Sequence, residues 1–275
     1  MTSPRVAAAF LRRFASKKSI RLPSSSATSF LSRRCLSSST SEDSPKALDM
    51  AFGPVNAFSM NQYAIACTAT KQAVIIDCGA STLQELNAFL KWIDDKDYQL
   101  TAVWQTHAHL DHVAGLGLLY DKLQQDDKRD KNIPIYLHQN EQSIYNSFEE
   151  RSKEFGFSVE NNKLPDDTQL TFFDDTLTCL PCGNLIFDII ETPGHSPGHV
   201  GFYESTSKSF FGGDFIMQGS IGRTDFPTSS PTDMNESLTS FCTTMDDATV
   251  IYPGHGQPSL LSTEKQRNPY LQEFV

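Results

Sequence analysis

Long apolar runs are missing from this 275-residue chain. Nothing in it approaches the roughly 18–20 consecutive apolar residues of a membrane-crossing helix, which excludes a helical membrane span. Cysteine is sparse: Cys35, Cys67, Cys78, Cys179, Cys182 and Cys242 form no dense framework. A chain of this length can bury a sizeable core without such staples. Cys179-x-x-Cys182 has no second pair to complete a zinc site, so it is read as structural. There is no glycine-rich dinucleotide fingerprint, no P-loop and no internal repeat of fixed period.

Acid is absent from the first 41 residues, where eight of the 23 Lys and Arg lie. The other fifteen face all 33 Asp and Glu, a formal balance of −18 for the remainder. So acidic a body repels nucleic acid and acidic membrane surfaces, and no partner of either kind is expected. The leader is rich in Arg and Ser, with Ser24–Ser26 and Ser37–Ser41 resembling disordered tracts. That composition predicts an organelle targeting peptide over residues 1–41, directed to the mitochondrial matrix, with a plastid as the alternative. A single folded domain is expected over 50–275.

Within it, apolar patterning predicts strands at Val55–Ser59 and Tyr63–Thr68, joined by a turn at Met60-Asn61-Gln62. Further strands are expected at Ala73–Ile76, Leu100–Trp104 and Ile133–Leu137. Thr82 with Glu85 forms a capping box for a helix that buries Leu86, Phe89, Leu90 and Ile93. An outer helix is expected over Asn140–Phe155, with Tyr120, Tyr145 and Phe155 read as core rather than interface. Leu170–Phe173 and Leu185–Glu191 read as an antiparallel pair around a turn holding Pro181 and Gly183. Strands at Val200–Tyr203, Ser209–Gly212 and Val250–Tyr252 and a helix over Asp233–Met245 complete a layered α/β fold with two sheets.

Chemistry-bearing residues stand where these strands give way to loops. Thr106-His107-Ala108-His109-Leu110-Asp111-His112 packs three histidines and an aspartate into six residues after the Leu100–Trp104 strand. Strand ends are where open α/β folds place their sites. Thr192-Pro193-Gly194-His195, Gly213-Asp214 and Pro253-Gly254-His255-Gly256 follow other strands. Imidazole and carboxylate donors without cysteine suit Zn, Fe or Mn. Two metals sharing a carboxylate, about 3.5–4 Å apart, would use such a set fully. Asp77, at the end of the Ala73–Ile76 strand, is either a capping acid or a support for the histidine turn.

In order and spacing, these four motifs resemble the metallo-β-lactamase superfamily over residues 52–271, and within it the glyoxalase II-like hydrolases of the short bacterial type. The resemblance implies an αβ/βα sandwich of two mixed sheets flanked by helices. It implies two divalent metals, zinc foremost with iron or manganese as alternatives. One would be held by His107, His109 and His195, the other by Asp111, His112 and His255, with Asp214 bridging. His199 would support the site without ligating. The implied activity is hydrolysis of glutathione thioesters to glutathione and a 2-hydroxy acid, with Asp111 both ligand and orienter of the nucleophile.

Full-length glyoxalase II enzymes carry a helical C-terminal extension with glutathione-binding groups, whereas this chain runs only twenty residues past His255. Arg223, in Gly222-Arg223-Thr224-Asp225, is the expected carboxylate-binding group, with a salt bridge to Asp225 as its ordinary alternative. The competing enzymatic reading is a mitochondrial persulfide dioxygenase with a single iron, which resembles Pro-Ala-His-Asp where this chain has Pro253-Gly254-His255-Gly256. A class B β-lactamase would place a cysteine ligand near Asp214, and a nuclease would want a basic groove. A metal-stabilised interaction protein is the non-enzymatic alternative, and the intact donor set argues against it.

Overall fold

The computed structural model of the chain describes residues 48–160 and 163–274. The targeting-peptide expectation, residues 1–41, lies outside the described residues. Among the described residues, β1 (Leu48–Val55), β2 (Met60–Cys67), β3 (Gln72–Ile76), β4 (Gln99–Trp104), β5 (Ile135–His138) and β6 (Thr171–Phe173) form one sheet in chain order. Its first two pairings are antiparallel and its last three parallel. The second sheet contains β7 (Cys179–Cys182), β8 (Leu185–Glu191), β9 (Val200–Glu204), β10 (Ser209–Gly213), β13 (Val250–Pro253) and β14 (Ser259–Leu260). Its order is β14-β13-β10-β9-β8-β7, with β10 and β13 parallel. A small hairpin, β11 (Ile216–Met217) and β12 (Ser220–Ile221), stands beside it.

The alternation of side chains along a strand explains the layering. On β3, Ala73 and Ile75 join an outer core with Leu86, Leu90 and Ile93 of α1 (Leu83–Asp95), while Val74 and Ile76 face inward. The inner core lies between the sheets and holds Tyr63, Trp104, Phe187, Phe202 and Phe211. A third core joins Phe210 and Ile251 to Leu238 and Phe241 of α6 (Pro231–Thr244). The result is helix, sheet, sheet, helix: two mixed sheets flanked by helices, the predicted αβ/βα sandwich. Helix α1 starts where the capping box placed it, with Thr82 Oγ1 accepting from Glu85 N and the Glu85 carboxylate accepting from Thr82 N. Such a cap is worth about 1 kcal/mol.

Four local expectations are corrected. The first hairpin turns at Asn56–Ser59 instead of Met60–Gln62. Asn56 and Ser59 take φ of 56°, and the Asn56 side chain accepts from Phe58 N. Asn61 and Gln62 are polar yet buried in β2, because their side chains bond inward to loop backbone. Leu170–Phe173 does not pair with Leu185–Glu191; β6 joins β5 in the first sheet, and β8 pairs with β7. Gly183 at φ 60° permits the two-residue turn, and Pro181 is tolerated because β7 is an outer strand with one unpaired side.

The outer helix is broken into α4 (Gln142–Asn146) and α5 (Phe148–Glu154), which follow α2 (Leu110–Val113) and α3 (Leu116–Gln125) in the chain. The break falls where Ser147 Oγ bonds the Ile144 carbonyl at 2.7 Å. Of the aromatic residues read as core, Tyr145 is buried, but Phe155 is 47% exposed beside the cleft described below. The last helix, α7 (Leu261–Arg267), packs Leu261 into the third core.

Candidate metal centre

The carboxyl ends of β3, β4, β8, β10 and β13 meet at one edge of the sandwich, and each delivers part of the site. The two sheets are tied there by backbone bonds, Val200 N to Thr106 O at 3.0 Å and Asn61 N to Gly254 O at 2.7 Å. All seven expected donor residues come together. Donor atoms of His107, His109 and His195 lie within 4.8 Å of one another, as do those of Asp111, His112 and His255. A third group of the same tightness, His107, His112 and Asp214, joins the two. Asp214 turns Oδ1 toward His112 Nε2 at 3.4 Å and Oδ2 toward His195 Nε2 at 3.5 Å and His255 Nε2 at 3.7 Å. Asp111 Oδ2 stands 3.1 Å from His255 Nε2 and 3.8 Å from His112 Nε2.

Hydrogen bonds behind the ligand atoms set the imidazole tautomers. His195 Nδ1 contacts the Arg223 carbonyl at 2.8 Å, so this nitrogen carries the proton and Nε2 is bare. His112 Nδ1 likewise donates to Asp77 Oδ2 at 2.9 Å. Thr106 Oγ1 donates to the same oxygen at 2.8 Å, which leaves it to accept from His107 Nδ1 at 3.0 Å. One carboxylate therefore orients two histidines and also accepts Thr106 N at 2.7 Å. This decides the open question over Asp77: it supports the histidine turn. A carboxylate behind a metal-binding histidine is a recurrent arrangement.

His199 lies against the same centre, outside the three donor groups. Its Nδ1 donates to Thr192 Oγ1 at 2.8 Å and its Nε2 accepts from Asp214 N at 3.2 Å. The neutral ring is thus a clamp on the Asp214 backbone.

Burial first, and then the neighbouring imidazoles, hold His107 and His199 well below the ordinary histidine range; burial and His195 push His109 down to about 3. These rings are neutral, the state in which an imidazole nitrogen can take a metal. Burial is the largest influence on Asp111 and Asp214 and opposes their charge, but His112 and His255 together, with His195 for Asp214, outweigh it, and both carboxyls lie below their usual range. Burial opposes charge on His112 as well, yet Asp111, Asp214 and Asp77 raise it well above the histidine range.

Four atoms here are buried without a hydrogen-bond partner among the described residues: His107 Nε2, His109 Nε2, His112 Nε2 and Asp214 Oδ1. Buried polar atoms are rarely left unsatisfied, and the cost of doing so rises in a dry interior. Divalent cations would supply what the lone pairs of His107, His109 and Asp214 lack, and would take the place of the proton on His112 Nε2. The donor set fits a metal centre on this ground alone.

Glycine makes room for it: a Cβ on Gly254 would meet Asp214 Oδ1 at 2.2 Å and His112 Cε1 at 2.8 Å. Three supports escaped sequence reasoning. Glu141, fully buried after β5, accepts Ala108 N at 2.8 Å and Gly198 N at 2.7 Å, joining the two histidine loops. Gln105 bridges Cys78 N and the His112 carbonyl, and Gln62 accepts from Gly79 N and Ala80 N. The available signal was that Glu141, like Asp77 and Asp214, is an acid just past a strand.

Other expected residues lie elsewhere or differ in setting. Arg223 reaches the rim of the cleft above the centre, but its Nε and Nη2 each bond the Asp225 carboxylate at 2.9 Å. Cys182 is packed between the sheets, with Sγ 3.3 Å from the Gln72 carbonyl, and contributes nothing to the centre. His138 pairs with Asp175 at 3.0 Å. No helix among the described residues is long and apolar enough to cross a membrane.

Comparison with known proteins agrees with this architecture. The chain is 32% identical over 219 residues to hydroxyacylglutathione hydrolase GloC of Haemophilus influenzae, covering 79% of this chain and 95% of the relative. The crystal structure of the BLEG-1 B3 metallo-beta-lactamase superposes with a TM-score of 0.66 at 28% identity, over 81% of this chain and 99% of that one. TTHA1623, crystallised in a di-iron-bound form, gives 0.64 at 28% identity over 79% and 99%. The family model described as Metallo-beta-lactamase superfamily matches residues 55–255, and with the fold and donor set above it shows that the chain belongs to the metallo-beta-lactamase superfamily.

Proposed function

We propose that this protein is a metal-dependent thioesterase that hydrolyses S-2-hydroxyacylglutathione to glutathione and the 2-hydroxy acid. The observation that carries the reading is the second donor triad. His255, presented between Gly254 and Gly256, reaches Asp111 Oδ2 at 3.1 Å and completes it beside the first. The single-iron dioxygenase has a histidine at this place too, in Pro-Ala-His-Asp, so it is the glycine on either side of His255 that favours the hydrolase. The Haemophilus relative named hydroxyacylglutathione hydrolase supports the substrate class, and the di-iron form of TTHA1623 supports a two-metal centre.

In this reading His107, His109 and His195 would hold one ion and Asp111, His112 and His255 the other, with Asp214 placed between the two donor groups. Divalent ions there, zinc foremost with iron or manganese as alternatives, would lower the pKa of a water toward neutrality and polarise the thioester carbonyl. Asp111 keeps the nucleophile in line, since its carboxylate is fixed by His255 and by burial. Asp77, through His112 and Thr106, and Arg223 O, through His195, keep bare nitrogens turned to the centre. The departing thiol of a cysteine-type carrier ionises near pH ~8.5, so no side chain has to protonate it. The basic leader is proposed to direct the protein to mitochondria, with a plastid as the alternative, which organelle fractionation of the full chain tests.

The test of the activity is to purify the protein, measure bound metals, and compare S-lactoylglutathione hydrolysis with oxygen uptake on glutathione persulfide. Two metals with thioester turnover and no oxygen uptake are expected. One iron with oxygen consumption overturns the proposal.

A further inference from the structure

The cleft above the metal centre has a volume of about 380 Å³, and its walls include Phe58, Phe155, Met217 and Phe226. Two arginines enter it, and they differ in one respect. Arg223 is committed to Asp225 through two hydrogen bonds. Arg151, on α5, makes no ion pair among the described residues, and its Nε is buried with no hydrogen-bond partner there. In a body carrying 33 acids against fifteen cations, a half-buried guanidinium without a carboxylate is an anomaly.

The setting of Arg151 leaves its donors available. The guanidinium carbon lies 5.6 Å from the Phe155 ring centre and 5.7 Å from that of Phe226, so aromatic groups restrain it without consuming N–H groups. The Phe226 ring in turn lies 5.1 Å from the His109 ring and 5.9 Å from that of His195. One aromatic side chain thus links the unpaired cation to the metal centre. A planar, restrained guanidinium with free donors is built to take a carboxylate.

We infer that Arg151 is a specificity-determining residue that receives a carboxylate of the substrate, while Arg223 shapes the rim through Asp225. This rests on the thioesterase reading and adds to it the group that recognises the thiol carrier. S-lactoylglutathione has carboxylates only on its carrier half, whereas S-lactoyl-N-acetylcysteamine has the same acyl group and none.

The experiment compares both thioesters on the metal-loaded wild type, Arg151→Gln and Arg151→Lys, with thermal melts to confirm folding. Losing a charge-assisted bond should raise KM for the glutathione thioester roughly ten- to a hundredfold in Arg151→Gln, with kcat little changed. The carrier lacking carboxylates should be unaffected, and Lys should recover part of the loss. Equal loss on both thioesters, or no loss on either, overturns the inference. If the wild type turns over neither thioester, the thioesterase reading fails by itself. Calorimetry with S-methylglutathione then decides Arg151: tenfold or weaker binding to Arg151→Gln than to wild type, as the charge-assisted bond requires, supports it. Equal binding, or no binding by the wild type, overturns it.

Discussion

Glu141 is the most informative residue to perturb, because it touches neither cleft nor centre yet joins the two loops that carry four histidines. Its Oε2 accepts from Ala108 N, between His107 and His109, and its Oε1 from Gly198 N, between His195 and His199. In Glu141→Gln the amide keeps one acceptor and turns an NH2 group toward the other backbone N–H, so one bond is lost and a buried donor is stranded. Hydrogen bonds to charged groups contribute about 1.5–3 kcal/mol each. Burial is the first cause of the raised carboxyl pKa of Glu141, so neutralising it recovers part of the loss. A net destabilisation of about 2–3 kcal/mol follows, or roughly 5–10 °C in Tm for a domain of this size.

Because the same bonds fix the ligand loops, metal affinity should fall about 10–100-fold. Differential scanning calorimetry, with and without metal, and competition with a chromogenic chelator measure the two effects. A Glu141→Gln variant with wild-type Tm and wild-type metal affinity would refute the claim that this carboxylate couples the loops.

Three further outcomes are expected. Chelation of the metal-loaded protein should lower its melting temperature, since ions at a hundredfold excess over Kd stabilise by about 2.7 kcal/mol; unchanged melting would mean the orphaned nitrogens hold no metal. Gly254→Ala should displace the Asp214 carboxylate and cut both metal content and turnover, whereas Gly53→Ala, with nothing within 4 Å of the added carbon, should leave both unchanged. Tyr98→Phe should change the alkaline limb of stability. Burial, then the 2.8 Å hydrogen bond to Asp49 and its charge, raise the Tyr98 phenol from 10 to about 12. Its contribution is complete below pH 10 and is lost as pH rises from 10 to about 12. The phenylalanine variant should be less stable than wild type below pH 10, with the gap closing across that window in denaturant unfolding; a constant gap would refute the assignment.

The proposed metal donors were legible by a local signal: four cluster within six residues after an apolar strand, and His195, Asp214 and His255 each follow a glycine after another such strand. The strands of the inner sheets were legible for a related reason, as in Ala73–Ile76, where both faces are buried and the run is continuous. What escaped was settled by contacts distant in sequence. Gln62 looks like a turn residue until Gly79 and Ala80, 17 and 18 residues away, are seen bonding to it. Glu141 sits at the start of a stretch patterned as a surface helix, and its partners lie 33 and 57 residues off. Phe155 reads as core by helical spacing, yet it borders a cleft that exists only once α5 and the Ile221–Pro227 loop are brought together.

This division has a functional consequence. Every proposed metal donor stands in the loop just beyond a strand or, for Asp111 and His112, in the short helix α2 that opens there, where backbone pairing and buried side chains hold position tightly. The two arginines of the cleft, with Phe155 and Phe226, come instead from α5 and the residue after it, in the excursion between β5 and β6, and from the loop between β12 and α6, with Phe226 touching both arginines. Side chains on those segments can change without disturbing Asp77, His199, Glu141 or the Arg223 carbonyl, the groups that hold the donors. A chain can therefore keep the whole donor set and accept a different carrier by altering Arg151 and Phe226 alone. Grafting those two side chains away should shift substrate preference before it affects metal content. The reverse order, metal loss preceding any change in preference, would mean that the cleft and the centre are one structural unit.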